Sequence, residues 1–150
     1  MAGFSDPQIG ALFLAVVAFL VIVPCHLVGL HGVAALIRAH NPKGSMREQG
    51  FRAEAGLVLL VMASLFGLHL LTNAAWGGFI AWSGALQGYR QCLFYSLENY
   101  TSLGLTRVQV DDTWRALAPL ISLSGVFCLG WSTAVLVSVF NHLYSPTSGR

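Results

Sequence analysis

Gln91-Cys-Leu-Phe-Tyr-Ser-Leu-Glu-Asn-Tyr100-Thr-Ser-Leu-Gly-Leu-Thr-Arg107 decides how the chain is read, because it is too apolar for an ordinary external loop and too short to cross a bilayer, which takes about 20 helical residues. Leu93, Leu97 and Tyr100 recur at helical spacing and Phe94 widens the same face, so a short helix is predicted over Gln91–Tyr100. Beyond it stand two hydroxyl residues and a glycine, Thr101, Ser102 and Gly104.

On either side the sequence is unmistakably apolar. Hydrophobic residues make up 55% of the 150-residue chain and charged residues 9%, with a mean hydropathy of +0.67; a water-soluble domain carries roughly a quarter charged residues. Three runs hold the excess, about Ile9–Ile37, Ala55–Trp82 and Leu117–Phe140, none containing Lys, Arg, Asp or Glu. Each is long enough to span, the first two with tilt. The first resembles a signal peptide only superficially: Met1–Asp6 carries an acid and no basic residue, and the run far exceeds the roughly 7–15 residues of a signal core. A retained helix is expected.

Arg38, Lys43, Arg47 and Arg52 all lie between the first two runs. The positive-inside rule places that linker in the cytoplasm of a multi-pass cell-membrane protein, with the N-terminus outside and the C-terminus inside. Ser83–Thr113 is then external; Arg90 and Arg107 lie in it and Arg115 at its boundary, accompanied by Glu98, Asp111 and Asp112. No basic stripe offers a nucleic-acid surface. Cys25, Cys92 and Cys128 are too few and too scattered for a disulfide framework; the first and last read as small hydrophobes, and Cys92 stays open.

A segment that enters and leaves the bilayer from one side must be wrapped in protein, since bare amides and carbonyls in hydrocarbon cost several kcal/mol each. Several subunits around a shared centre would supply that wrapping.

On these residues the chain resembles a known family. Phe94-Tyr-Ser-Leu-Glu-Asn-Tyr-Thr-Ser-Leu-Gly-Leu-Thr-Arg107 is similar to the pore helix and selectivity filter of tetrameric potassium channels, and Trp114-Arg115 with Gly125 and Gly130 is similar to the start and middle of that family's inner helix. The resemblance implies an all-α integral membrane fold: three transmembrane helices, a re-entrant pore helix and filter loop between the second and third, and a homotetramer in lipid. It divides the chain into a first helix and basic linker (1–54), a pore module (55–143) and a short cytoplasmic tail (144–150). Within the module fall an outer helix at 55–82, a pore helix at 86–100, a filter at 101–106 and an inner helix at 114–140.

The same resemblance assigns roles. Thr101 falls on the threonine of the innermost ion site, Ser102 on the second threonine, Leu103 on the valine and Gly104 on the first filter glycine. Leu105, Thr106 and Arg107 stand where the family has an aromatic residue, a second glycine and an external aspartate, so they do not predict its usual selectivity. Glu98 matches a pore-helix glutamate found in part of the family, and with Arg107 it is expected to support the filter, as an ion pair. The implied activity is passive conduction of a monovalent cation, potassium foremost, with no resident cofactor or metal. Physically, carbonyls from symmetry-related strands replace an ion's hydration shell, and a helix pointing its C-terminal end at the centre adds negative potential.

Other residues admit more than one reading. Gly125 is a candidate gating hinge or a close helix contact. Asp111, Asp112 and Thr113 suit a helix cap, and Pro24 should kink the first helix beside Cys25 and His26. His26 and His69 lie near the depth centres of their helices, inviting either haem ligation between facing imidazoles or a neutral hydrogen-bonded pair. No CxxC, HExxH or G-x-S-x-G arrangement is present, and no enzyme is expected. A non-conducting channel-like assembly or regulatory subunit is the alternative function.

Overall fold

The computed structural model describes residues 6–40, 51–104 and 108–144. The fold is all-α: α1 (Pro7–His40), α2 (Phe51–Ser83), a short α3 (Tyr89–Tyr100) and α4 (Leu117–Tyr144), with one turn of 3-10 helix at Asp112–Trp114. Three of these helices, over Pro7–Ala39, Glu54–Ser83 and Asp112–Asn141, are long and apolar enough to cross a membrane.

Local chemistry sets where each helix begins. Asp6 accepts the Gln8 amide at 2.9 Å and Pro7 occupies the first helical position, where its missing N–H costs nothing. α1 continues through Pro24 to His40. α3 starts at Tyr89, three residues after the expected 86, because Gly84 and Gly88 carry positive φ of 72° and 84°, a region closed to most L-residues. α4 starts at Leu117 after the 3-10 turn, whose Asp111 carboxylate accepts the Thr113 amide at 3.1 Å.

The bundle closes on buried stripes whose residues recur mostly at helical spacings of three, four or seven. On α1 the buried stripe is Ala11, Ala15, Ala18, Val23, His26, Leu30 and Val33; on α2 it is Leu57, Val61, Leu65, Thr72, Trp76 and Ile80. Outward-facing Phe13, Leu20, Phe66 and Leu71 are exposed, as lipid-facing residues of a spanning helix would be. Near the α2–α3 connection, Phe79 meets Trp76, Trp82 and Trp114 with ring centroids 6.0, 6.0 and 6.3 Å apart. Trp76 is 0% exposed and donates its indole N–H to Ser124 at 2.9 Å, whereas Trp82 is 74% exposed.

α2 buries a second face, Asn73 and Gly77, and α3 packs on it. A Cβ at Gly77 would lie 2.7 Å from a Leu93 methyl and 3.3 Å from its Cα. On the other side Gly125 of α4 lies so close that a Cβ there would overlap the Tyr100 carbonyl. Two glycines thus admit α3 between the longer helices, the packing device of apolar bundles where backbones must approach.

Candidate functional site

Hydroxyls and amides fix the inner side of α3. Ser96 donates to the Asn73 side-chain oxygen at 2.6 Å and lies 3.1 Å from the Asn73 carbonyl. From α4, Ser122 donates to the Asn99 carbonyl at 2.8 Å, while the Asn99 amide returns to the Tyr95 carbonyl at 2.8 Å. Tyr100 hydrogen-bonds Nδ1 of His69 at 2.8 Å. Since His69 and Gly125 stand near the middles of the apolar spans Glu54–Ser83 and Asp112–Asn141, the C-terminal end of α3 lies beside those middles, about 20 Å along α2 from Ser83 at 1.5 Å per residue.

The opposite face of α3 is open. Arg90, Phe94, Leu97 and Thr101 follow one another at helical spacing and are exposed, with the Arg90 guanidinium 5.6 Å from the Phe94 ring centroid.

The turn after α3 is a helix cap. The Ser102 amide donates to the Asn99 carbonyl at 2.9 Å and the Leu103 amide to the Glu98 carbonyl at 2.9 Å, the paired bonds of a Schellman motif. Ser102 occupies its left-handed position with φ 58°, where glycine is usual. Gly104 also has positive φ, 59°, and its amide reaches the Glu98 carbonyl at 3.3 Å. The Thr101 hydroxyl turns back to the Leu97 carbonyl at 2.8 Å. Thr101, Ser102, Leu103 and Gly104 are all exposed, Leu103 at 62%.

Of the residues singled out in the sequence, Thr101 to Gly104 therefore sit together at the end of α3, with Gly125 directly beneath Tyr100. Leu105, Thr106 and Arg107 lie outside the described residues. Glu98 points one carboxylate oxygen, Oε2, into a buried position that has no hydrogen-bond partner among the described residues. Cys92 is buried with its thiol 3.7 Å from the Leu86 carbonyl.

His26 and His69 come level, as their depths suggested, with ring centroids 4.9 Å apart and planes inclined by 43°. Rings in such contact leave no slot between them for a porphyrin. His26 Nδ1 is held by the Thr72 hydroxyl at 2.8 Å and Nε2 lies 3.4 Å from that of Ser132. Asn73 and Asn99 were missed in the sequence; the usable signal was Asn73, the one side-chain amide in the uncharged apolar run Ala55–Trp82.

No protein-family model, curated protein or solved structure matches the chain.

Proposed function

We propose that this protein is a passive ion channel of four copies around a common axis, each lending α3 as a pore helix and residues 101–106 as part of a shared constriction. One observation carries the reading: a helix too short to span ends beside the middles of two that are long enough, at Tyr100 against His69 and Gly125. With α2 and α4 crossing a hydrocarbon core about 30 Å thick, that end and its polar turn lie deep in the membrane. Exposed backbone at that depth requires protein or water around it, and neighbouring copies provide both. The open face of Arg90, Phe94, Leu97 and Thr101 is the surface the next copy would cover.

In this arrangement the carbonyl end of α3 aims its dipole at the axis and favours a cation, and the small side chains of Thr101, Ser102 and Gly104 leave room for one. Monovalent cations are the permeant class, potassium foremost, moved by their electrochemical gradient. Arg107, from the adjoining sequence, would meet Oε2 of Glu98, which has no partner among the described residues, and brace the constriction from behind. The N-terminus faces outward and the basic linker inward.

A second reading, a non-conducting channel-like assembly, is favoured by the Schellman turn, because the amides of Ser102, Leu103 and Gly104 fold back on α3 and do not run on as an extended strand. Planar-bilayer recording of the purified protein under potassium, sodium and chloride gradients separates the two. Reversal at a cation potential, with conductance altered by Thr101→Ala or Arg107→Gln, is the expected result. Reversal at the chloride potential overturns the cation assignment, and silence across pH and voltage favours the assembly.

A further inference from the structure

Two imidazoles from different helices meet inside the bundle, and ion passage as described uses neither. His26 of α1 is 1% exposed and lies against His69 of α2. Thr72 spends its hydroxyl proton on the Leu68 carbonyl at 2.8 Å, so it can only accept from His26, which places the proton of neutral His26 on Nδ1. Nε2 is then the acceptor, facing the Ser132 hydroxyl across a long 3.4 Å. On the other side His69 Nδ1 holds the phenol of Tyr100, the last residue of α3. A continuous path thus joins α1 to the end of α3 through two rings and one phenol.

The pair has room for one added proton. Two imidazolium ions at this separation, one of them buried, repel strongly. A proton arriving at His26 Nε2 turns an acceptor into a donor and makes Ser132 swing round. One arriving at His69 leaves both its nitrogens as donors, so the phenol must accept where it could donate before. The second event changes the bond that holds Tyr100; the first bears on it by repelling a proton from the neighbouring His69 ring.

The other ionisable groups packed against the pair are Tyr100 itself from α3 and Cys128, beside that phenol, from α4. Cys25 on α1 is exposed. Glu98 precedes Tyr100 by two residues, roughly 200° around α3, and no Lys, Arg, Asp or Glu occurs in the apolar runs of α1, α2 and α4.

We propose that His26 and His69 form a proton-operated positioning pair that sets, through Tyr100, where the end of α3 and its turn sit, and so gives α1 control over that turn. Its consequence for conduction rests on the channel reading; the proton-linked movement of Tyr100 does not.

The test uses the full chain in lipid nanodiscs, labelled with 3-fluorotyrosine, with the Tyr100 signal assigned by its loss in Tyr100→Phe. Between about pH 8 and about pH 4, that signal should move between two plateaus with the steepness of a single proton. In His69→Asn, whose amide replaces Nδ1 without titrating, it should stay still. His26→Gln reaches α3 only through His69 and should shift the midpoint. In proteoliposomes, wild-type cation flux should differ at least about fivefold between the two pH extremes, and His69→Asn should conduct with a flat profile. A Tyr100 signal indifferent to pH, the same titration in His69→Asn, or an unmoved midpoint in His26→Gln overturns the pair. Titration of Tyr100 with no flux at any pH upholds the pair and overturns the channel.

Discussion

At Ser102 the backbone turns left-handed under a residue that has a Cβ. That conformation costs an L-residue roughly 1–2 kcal/mol, and Ser102 tolerates it because the two Schellman bonds need it. Ser102→Gly should therefore stabilise the protein by about 1 kcal/mol, and Ser102→Val should destabilise it, both measurable by reversible unfolding in mixed micelles. Gly125 obeys the opposite logic. A methyl there meets the Tyr100 carbonyl, which the Ser122 bond to Asn99 prevents from retreating; Gly125→Ala should cost about 1–3 kcal/mol by overpacking. An unchanged melting temperature would remove the close approach as the reason for glycine. The left-handed turn could not be foreseen at Ser102, since serine carries no such signal. Gly125 was visible as a small residue, although spacing alone left hinge and contact equally open.

Among the elements, α3 depends most on its neighbours. At 12 residues it is below the length at which an isolated helix persists in water, and it is held by Asn73, Gly77, Ser122 and Gly125. Hydrogen bonds between membrane helices average only about 0.6 kcal/mol, with about 1.7 as the largest measured. A double-mutant cycle of Asn73→Ala and Ser96→Ala should return a coupling in that range; the close glycine packing then contributes more than any one polar bond. Coupling near zero would mean that Ser96 finds another acceptor. The helix itself was legible from the spacing of Leu93, Leu97 and Tyr100, but its packed face was not: Phe94 and Leu97 are exposed, and Cys92, Tyr95, Ser96, Asn99 and Tyr100 are the buried residues. Nor was its first residue, since nothing in Leu86-Gln87-Gly88 says locally that Gly88 takes a positive φ and delays the helix. The three long helices were the most legible of all, as a charge in hydrocarbon is so costly that its absence over such lengths carries the signal. The Asn73–Ser96 bond depends on how two helices are rotated against each other, which no local pattern records.

For the whole molecule, the basic residues Arg38, Lys43, Arg47 and Arg52 predict an orientation that chemistry can check. A cysteine at Arg47, with Cys25, Cys92 and Cys128 replaced by Ala or Ser, should react with a membrane-impermeant maleimide only after cells are opened. Labelling of intact cells would invert the topology and put the α2–α3 connection inside. The level meeting of His26 and His69 was legible at this scale because two antiparallel spans bring equal depths together.

The contrast between Trp76 and Trp82 equips the protein with its own optical gauge. Both belong to one aromatic cluster, yet one is sealed in the interior and the other stands in the open. Brominated acyl chains extinguish indole emission only on contact, so Trp82 should be quenched in such a bilayer while Trp76 stays bright. Loss of most of the quenching in Trp82→Phe would confirm which surface the lipid touches. Should an adjoining copy cover Trp82, its light would be spared, and the fluorescence would report assembly without any added dye.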